Sequence, residues 1–149
     1  MYRHILIASD GSNLAGKGLD AGLALAAALQ ARATLVTVSD PWQDVMAADP
    51  SAMALTGELR EERRRQKEAE AQVVFEDARK RALAAGVALE TVYVPERLPD
   101  EAILETADRC GADLIVMASH GHRGLRKLLL GSQAQAVVSR GHLPVLVVR

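Results

Sequence analysis

The sequence predicts an α/β domain built on an open parallel sheet, with helices on both faces in a Rossmann-like arrangement. Short apolar runs alternate with longer helical segments five times along 149 residues, which is typical of parallel strands joined by right-handed crossovers. The run 113–118 is apolar after its first residue, as in a strand covered on both faces. The length predicts one domain, 1–149.

The first half of the chain is predicted to form two strands and two helices. The apolar run 4–9 and the β-branched run 33–38 predict the strands. Between them, 14–30 is rich in Ala and Leu with an apolar stripe at helical spacing. Residues 39–56 contain two Asp-Pro pairs, which indicate a loop. The long helix predicted over 57–85 begins with charges of both signs, which we interpret as a solvated extension with ion pairs.

The second half continues the alternation. The third strand is predicted over 87–94. A proline in the first turn predicts a helix over 99–110. The fourth strand follows over 113–118, a short helix over 132–140, and the last strand over 143–148.

Composition and charge argue against some classes of binding partner and indicate the cellular compartment. A net charge of −1 and 3% aromatic residues argue against nucleic-acid and membrane partners. The single cysteine, Cys110, fits a reducing compartment, so we expect a cytoplasmic protein. Asp113 is the last acidic residue, so we expect the final quarter of the chain to attract anions. The cations that follow it are Arg123, Arg126, Lys127, Arg140 and Arg149.

Two of the predicted strands end in small and polar residues. The first ends in Ser9-Asp10-Gly11-Ser12 and the fourth in Ala118-Ser119-His120-Gly121. Ligands of parallel α/β sheets bind beyond the carboxyl ends of the strands, where the strand order reverses. If these two strands are neighbours there, both loops line one crevice, which is the predicted binding site.

Two helix starts border this crevice, and each has two interpretations. Asp10 or Ser12 could cap the first helix; if Ser12 does so alone, Asp10 would bind a ribose hydroxyl or a cation. Ser132 and Gln135 match a capping box at the last helix. The same helix start suits phosphate oxygens, because Gly131 admits close backbone approach and the helix presents N–H groups with a positive dipole end.

No catalytic or metal centre is predicted. His120 and His122 could face one side of an extended loop, but no acidic residue or cysteine follows Asp113 to complete a zinc set. We expect a divalent ion, Mg²⁺, to arrive only with phosphates. The sequence contains no P-loop, no dinucleotide-binding fingerprint after the first strand and no nucleophile elbow. An efficient enzyme is therefore not expected.

The chain resembles the universal stress protein family, of the ATP-binding kind, over nearly its whole length. Matching stretches are the Ala-Ser-Asp-Gly-Ser end of the first strand, the Val-Ser-Asp end of the second, the fourth strand and the closing Leu-Pro-Val-Leu-Val-Val. The most specific match is the family's phosphate loop, Gly-x2-Gly-x9-Gly-(Ser/Thr), represented here by Ala118, Gly121, Gly131 and Ser132. Ala118 replaces the first glycine and adds a methyl group near the ribose.

The resemblance implies a fold, a ligand and an assembly. It implies the strand order 3-2-1-4-5 and a homodimer that pairs the last strands, 143–148, about a two-fold axis. It also implies that backbone around Val38 bonds adenine, that Asp10 holds the ribose, and that the last three signature residues hold the phosphates. Flanking residues complete the candidate binding set: Ala8, Ser9, Ala118, His122, Arg123 and Gln133.

Two functions follow from these observations. The first is an ATP-binding, dimeric sensor or regulator of a stress response, with at most slow hydrolysis because no base is evident to activate water; the sequence does not separate ATP from ADP or AMP. The second is a dimeric interaction module of the same family that has lost nucleotide binding, which Ala118 favours. A hydrolase or nucleotidyl-transferring enzyme on this fold would lack its catalytic residues.

Overall fold

A computed structural model of the protein describes residues 1–41, 57–120 and 130–149. The predicted alternation of strands and helices is confirmed across these ranges. Most of the predicted loop 39–56 lies outside them. In chain order the elements are β1 (His4–Ala8), α1 (Asn13–Leu29), β2 (Arg32–Val38), α2 (Gly57–Ala85), β3 (Leu89–Val94), α3 (Pro99–Cys110), β4 (Leu114–Ala118), α4 (Ser132–Arg140) and β5 (Val145–Val148).

The five strands form one parallel sheet in the order β3-β2-β1-β4-β5, as the family resemblance implied. β1 lies at the centre, where Ile7 is in register with Leu35 of β2 and Val116 of β4. From β1 the chain extends the sheet first towards β3 and then, through β4, in the opposite direction. The strand order therefore reverses between β1 and β4, which is where such sheets bind ligands.

The sheet is covered on both faces, so its central strands are apolar on both sides. Ile5 and Ile7 of β1 join a buried cluster that includes residues of α1 and α2, such as Phe75. Leu6, on the other face of β1, joins a second cluster that includes residues of α3 and α4, such as Val137. This two-sided burial explains why β1 and β4 are continuous apolar runs rather than alternating ones.

Two strands begin two residues later than predicted. Val87 is not in β3, because its N–H donates to the carbonyl of Ala82 (2.9 Å) and so completes the end of α2. Leu143 and Pro144 precede β5; the Pro144 carbonyl accepts from the N–H of Ile115 (3.0 Å), but proline has no N–H for a strand ladder.

The long helix α2 has the two halves that the sequence predicts. Its second half packs on the sheet through Ala71, Phe75, Ala78 and Ala82, all buried. In the first half Glu61 forms ion pairs with Arg64 and Arg65 on an exposed surface. No helix within the described ranges is both long enough and apolar enough to span a membrane.

Candidate functional site

A cavity of about 340 Å³ lies at the carboxyl ends of β1, β2 and β4. The loops after β1 and β4 both contribute to it, through Ser9 and Asp10 on one side and Ser119 and His120 on the other. The prediction that these strands are neighbours is confirmed, since β1 pairs directly with β4. The crevice expected from the sequence therefore exists, at the point where the strand order reverses.

The structure brings together most of the residues predicted for the site. Eight of the eleven line the cavity: Ala8, Ser9, Asp10, Val38, Ala118, Gly131, Ser132 and Gln133. The other three, Gly121, His122 and Arg123, lie outside the described residues.

The turn between β1 and α1 is held by its own side chains. Ser12 is the N-cap of α1, and its hydroxyl oxygen accepts from the N–H of Ala15 at 3.1 Å. An oxygen of Asp10 accepts from the N–H of Ser12 at 3.0 Å, which fixes the carboxylate at the rim of the cavity. Of the two sequence interpretations, Ser12 is thus the residue that caps the helix.

Gly11, within the same turn, has a backbone that requires glycine. Its φ is +80°, in the left-handed region that other residues rarely adopt. A Cβ at this position would also lie 2.9 Å from Cγ2 of Val74 on α2. The turn after β1 is therefore packed closely against α2.

The predicted capping box at α4 is wrong. Gly131 is the N-cap, with φ −60° and ψ 152°, and Ser132 is the first helical residue. The Gly131 carbonyl accepts the first helical bond, from the N–H of Gln135 at 2.9 Å. Ser132 lies one residue too late to cap the helix, and within the described residues no side chain caps the start of α4.

Gly131 has a packing role that the sequence interpretation did not include. Its N–H donates to the carbonyl of Ser119 at 2.7 Å, joining the start of α4 to the end of β4. A Cβ at this position would lie 2.5 Å from that carbonyl oxygen and 3.3 Å from Cα of His120. Glycine is therefore needed here whether or not a ligand binds.

The end of β2 directs backbone groups towards the cavity. The N–H of Ser39 donates to Val94 and its carbonyl accepts from Arg97, so both groups face β3. The Val36 carbonyl accepts from the chain after β1. Because alternate residues of a parallel strand bond to opposite neighbours, the N–H and carbonyl of Val38 face the β1 side.

The cavity wall combines an apolar part with polar atoms. The apolar part comes from strands and helices, and on the face covered by α3 and α4 it includes Val36, Ile103, Met117 and Ala134. Two buried side-chain oxygens of lining residues, Thr37 Oγ1 and Gln133 Oε1, have no hydrogen-bond partner within the described residues. Such a cavity suits a ligand with an apolar ring and hydrogen-bonding or charged groups.

The sequence interpretation missed the wall that α2 contributes. Lys67, Glu70, Ala71 and Val74 line the cavity, although Lys67 was assigned to the solvated first half of the helix. A sequence signal did exist, because Lys67 precedes Ala71 by one turn and so continues the apolar stripe of α2.

The structure offers no metal cluster in the ranges it describes. No group of three or more His, Cys, Asp or Glu side chains there could hold an ion. Nδ1 of His120 lies 3.2 Å from the hydroxyl oxygen of Ser119, and Ser119 is itself only 6% exposed. The other histidine of the metal hypothesis, His122, lies outside the described residues.

Comparison with known proteins gives consistent matches along the chain. The family model of the universal stress protein family matches residues 1–149. Universal stress protein YxiE of Bacillus subtilis is 32% identical over 149 residues, which is 100% of each chain. Protein MJ0577 of Methanocaldococcus jannaschii has a solved structure with a TM-score of 0.81 and 28% identity, covering 99% of this chain and 96% of that one.

A second solved structure is a universal stress protein in complex with cAMP. It has a TM-score of 0.68 and 26% identity, covering 99% of this chain and 97% of that one. The family model matches the whole chain, and YxiE is 32% identical to it along its full length. The chain belongs to the universal stress protein family.

Proposed function

We propose that the cavity binds an adenine nucleotide, ATP in the first place, and that the protein acts as a dimeric sensor or regulator in a stress response. The observation that carries the proposal is the start of α4. It borders the cavity through Gly131 and Ser132, and no side chain within the described residues caps it. A helix start of this kind suits phosphate oxygens, because its N–H groups and the positive end of its dipole face the anion.

The other walls of the cavity suit the remaining parts of the nucleotide. The carbonyl and N–H of Val38, directed to the β1 side, are suited to the polar edge of adenine, and the apolar wall to its ring. Asp10, at the rim, would accept from ribose hydroxyls. Gly121, His122 and Arg123 would close over the phosphates. The related structure solved with cAMP supports an adenine nucleotide as the ligand class.

The proposal includes Mg²⁺ only as an ion that arrives with the phosphates, and at most slow hydrolysis. General-base catalysis needs a base within hydrogen-bond reach of the attacking water or hydroxyl. Nδ1 of His120 already lies within hydrogen-bond distance of the hydroxyl oxygen of Ser119, at 3.2 Å. The nucleotide would therefore act as a bound signal rather than as a substrate turned over rapidly.

The proposed homodimer pairs the last strands, 143–148, of two chains. β5 is an edge strand of the sheet, and Leu146 within it is 40% exposed. An apolar edge strand offers unpaired backbone groups to a partner, and a two-fold axis would pair the same strand from each copy.

A second candidate function rests on Ala118. This residue lines the cavity in place of the first glycine of the phosphate-loop pattern. If its methyl group excludes the nucleotide, the protein is a dimeric interaction module without a ligand. Replacing Ala118 by glycine would then restore ATP binding to a chain that lacks it.

The deciding measurement is the melting temperature with and without millimolar ATP and Mg²⁺, with GTP and Mg²⁺ as the control. A ligand at about 100 times its dissociation constant stabilises by roughly 2.7 kcal/mol, which for a domain of this size raises the melting temperature by several degrees, roughly 5–10 °C. We expect a rise with ATP and none with GTP.

An equal rise with GTP would contradict adenine recognition at the end of β2. The absence of any rise would contradict nucleotide binding, and the Ala118→Gly variant then tests the second function. If that variant gains the ATP-dependent rise, the methyl group is what excludes the nucleotide.

A further inference from the structure

The described lining of the cavity includes charged side chains that bear on an anionic ligand. Asp10, Asp40 and Glu70 supply three carboxylates to the described lining, and Lys67 supplies an ammonium group. These carboxylates are not grouped as a metal site in the part of the chain that the structure describes. An anionic ligand in this cavity would be attracted by the ammonium group of Lys67 and repelled by a carboxylate such as that of Glu70.

Lys67 lies on the face of α2 that packs against the sheet, although most of its neighbours in the sequence are exposed charged residues. It lies one turn before Ala71 and two turns before Phe75, which are each 2% exposed. Its side chain is 36% exposed, against 70% for Arg65, which lies on a different face of the same helix. Packing of α2 on the sheet therefore fixes the backbone from which Lys67 reaches the cavity.

Glu70 is the partner of Lys67 in this structure. The two side chains form an ion pair of 3.1 Å, and the second oxygen of Glu70 accepts from the side chain of Gln66 at 3.3 Å. The pair is half-exposed, with 53% of the Glu70 side chain accessible. Ion pairs with this exposure contribute little to stability, so exchange of Lys67 to another anion carries a small cost.

We propose that Lys67 is a ligand-contacting residue that supplies positive charge to the anionic part of the nucleotide, and that Glu70 is the competing partner that it leaves when the ligand binds. The inference rests on the proposed function, because it assigns a charge preference to the same cavity. Together the two residues favour phosphorylated nucleotides over the uncharged nucleoside. Lys67 acts from the α2 wall, which the phosphate-loop pattern does not include.

The test uses two variants with opposite expected effects, measured by isothermal titration with ATP and with adenosine. Lys67→Met should weaken ATP binding about tenfold, the usual size for a lost charge-assisted contact. Glu70→Gln should tighten ATP binding about threefold, because it removes both a competitor for Lys67 and a repulsive charge. Neither change should alter adenosine binding, and the ATP affinity of Lys67→Met should depend less on salt.

Arg65→Gln is the matched control, because it removes a cation from the same helix on a face that does not line the cavity. It should bind ATP as the wild type does. Melting temperatures without ligand check that all three variants fold; if Lys67→Met does not, Lys67→Gln, which keeps a polar side chain without the charge, takes its place and should show the same loss of ATP affinity.

The possible failures are distinguishable. A wild-type chain that binds no adenine nucleotide overturns the proposed function and this inference together. A wild type that binds ATP, with Lys67→Met equal to it, overturns the inference alone. Loss of ATP affinity in both Lys67→Met and Glu70→Gln also overturns it, because the pair would then be a structural support rather than two competitors.

Discussion

Two helices begin at the cavity, each beside a Gly-Ser pair, and they begin in different ways. At α1 the serine is the N-cap, and its hydroxyl accepts from the N–H of Ala15. At α4 the glycine is the N-cap, and the serine is already inside the helix. An N–H group at the start of α1 therefore has a side-chain acceptor, the Ser12 hydroxyl, whereas no side chain in the described residues caps the start of α4.

The Gly-Ser pair has a different role at each helix, because the N-cap is the serine at α1 and the glycine, one residue earlier in the pair, at α4. Gly11 adopts φ +80° and turns the chain so that Ser12 lies at the cap position. Gly131 has φ −60°, and its missing side chain instead allows contact with the carbonyl of Ser119. A serine cap is worth about 1 kcal/mol, so an uncapped helix start at a cavity is a cost that a bound anion can offset.

The largest effect in this comparison is expected when each glycine is replaced by alanine. Gly131→Ala should destabilise the fold by roughly 2–3 kcal/mol, because its Cβ would lie 2.5 Å from a backbone carbonyl oxygen that is itself bonded to residue 131. Gly11→Ala should cost about 1–2 kcal/mol, since the left-handed backbone is strained and the nearby Val74 side chain can move. Urea denaturation at pH 7.5 measures both.

Gly16→Ala is the control for these two substitutions, since a Cβ there meets nothing within 4 Å. It should leave stability equal or slightly higher, because alanine favours a helix more than glycine does. A Gly131→Ala protein as stable as the wild type would show that the end of β4 can move away from α4. In that case Gly131 would be needed for the ligand alone.

Replacing the two serines by alanine should have smaller effects on the free energy of unfolding, and the two effects should differ. Ser12→Ala should cost about 1 kcal/mol without ligand, because the N–H of Ala15 loses its acceptor. Ser132→Ala should cost less than about 0.5 kcal/mol, the usual range for a surface position without a structural role, and should instead reduce the stabilisation by ATP. Melting curves of both variants with and without ATP and Mg²⁺ measure the two effects together.

Equal destabilisation of the ligand-free protein by the two serine substitutions would contradict the comparison. If Ser132→Ala destabilised the ligand-free protein as much as Ser12→Ala, the hydroxyl of Ser132 would be capping α4 in solution. The predicted capping box with Gln135 would then describe the ligand-free state.

The fold could be predicted from the sequence because burial determines the pattern of apolar residues: strands covered on both faces become continuous apolar runs, and helices packed on one side carry an apolar stripe. Strand ends were less predictable, since Val87 completes a helix through a backbone bond that its side chain does not reveal. The site residues on β1 and β4 could be found from where polar residues follow apolar runs. The place of Lys67 in the cavity wall was missed, because the charges around it match a solvated face and only its helical spacing from Ala71 indicates otherwise.

The smallest effect concerns the pH dependence of stability. It tests whether the contribution of the Ser12 cap at the start of α1 stays the same when the pH changes. Burial, together with the nearby charge of Arg32, lowers the pKa of His4 below its ordinary value of 6.5. The unfolded chain therefore binds a proton more readily than the folded one, so this stability is present above pH 6.5 and is lost as the pH falls through the folded pKa. The free energy of unfolding should fall between pH 7.5 and pH 5.5.

His4→Gln should make that decline shallower, because the titrating group at the start of β1 is removed. The difference between wild type and Ser12→Ala should stay constant over the same range, since a hydroxyl cap does not titrate. Urea denaturation at several pH values measures all three proteins. If the difference shrank as the pH fell, the cap would depend on an ionised neighbour.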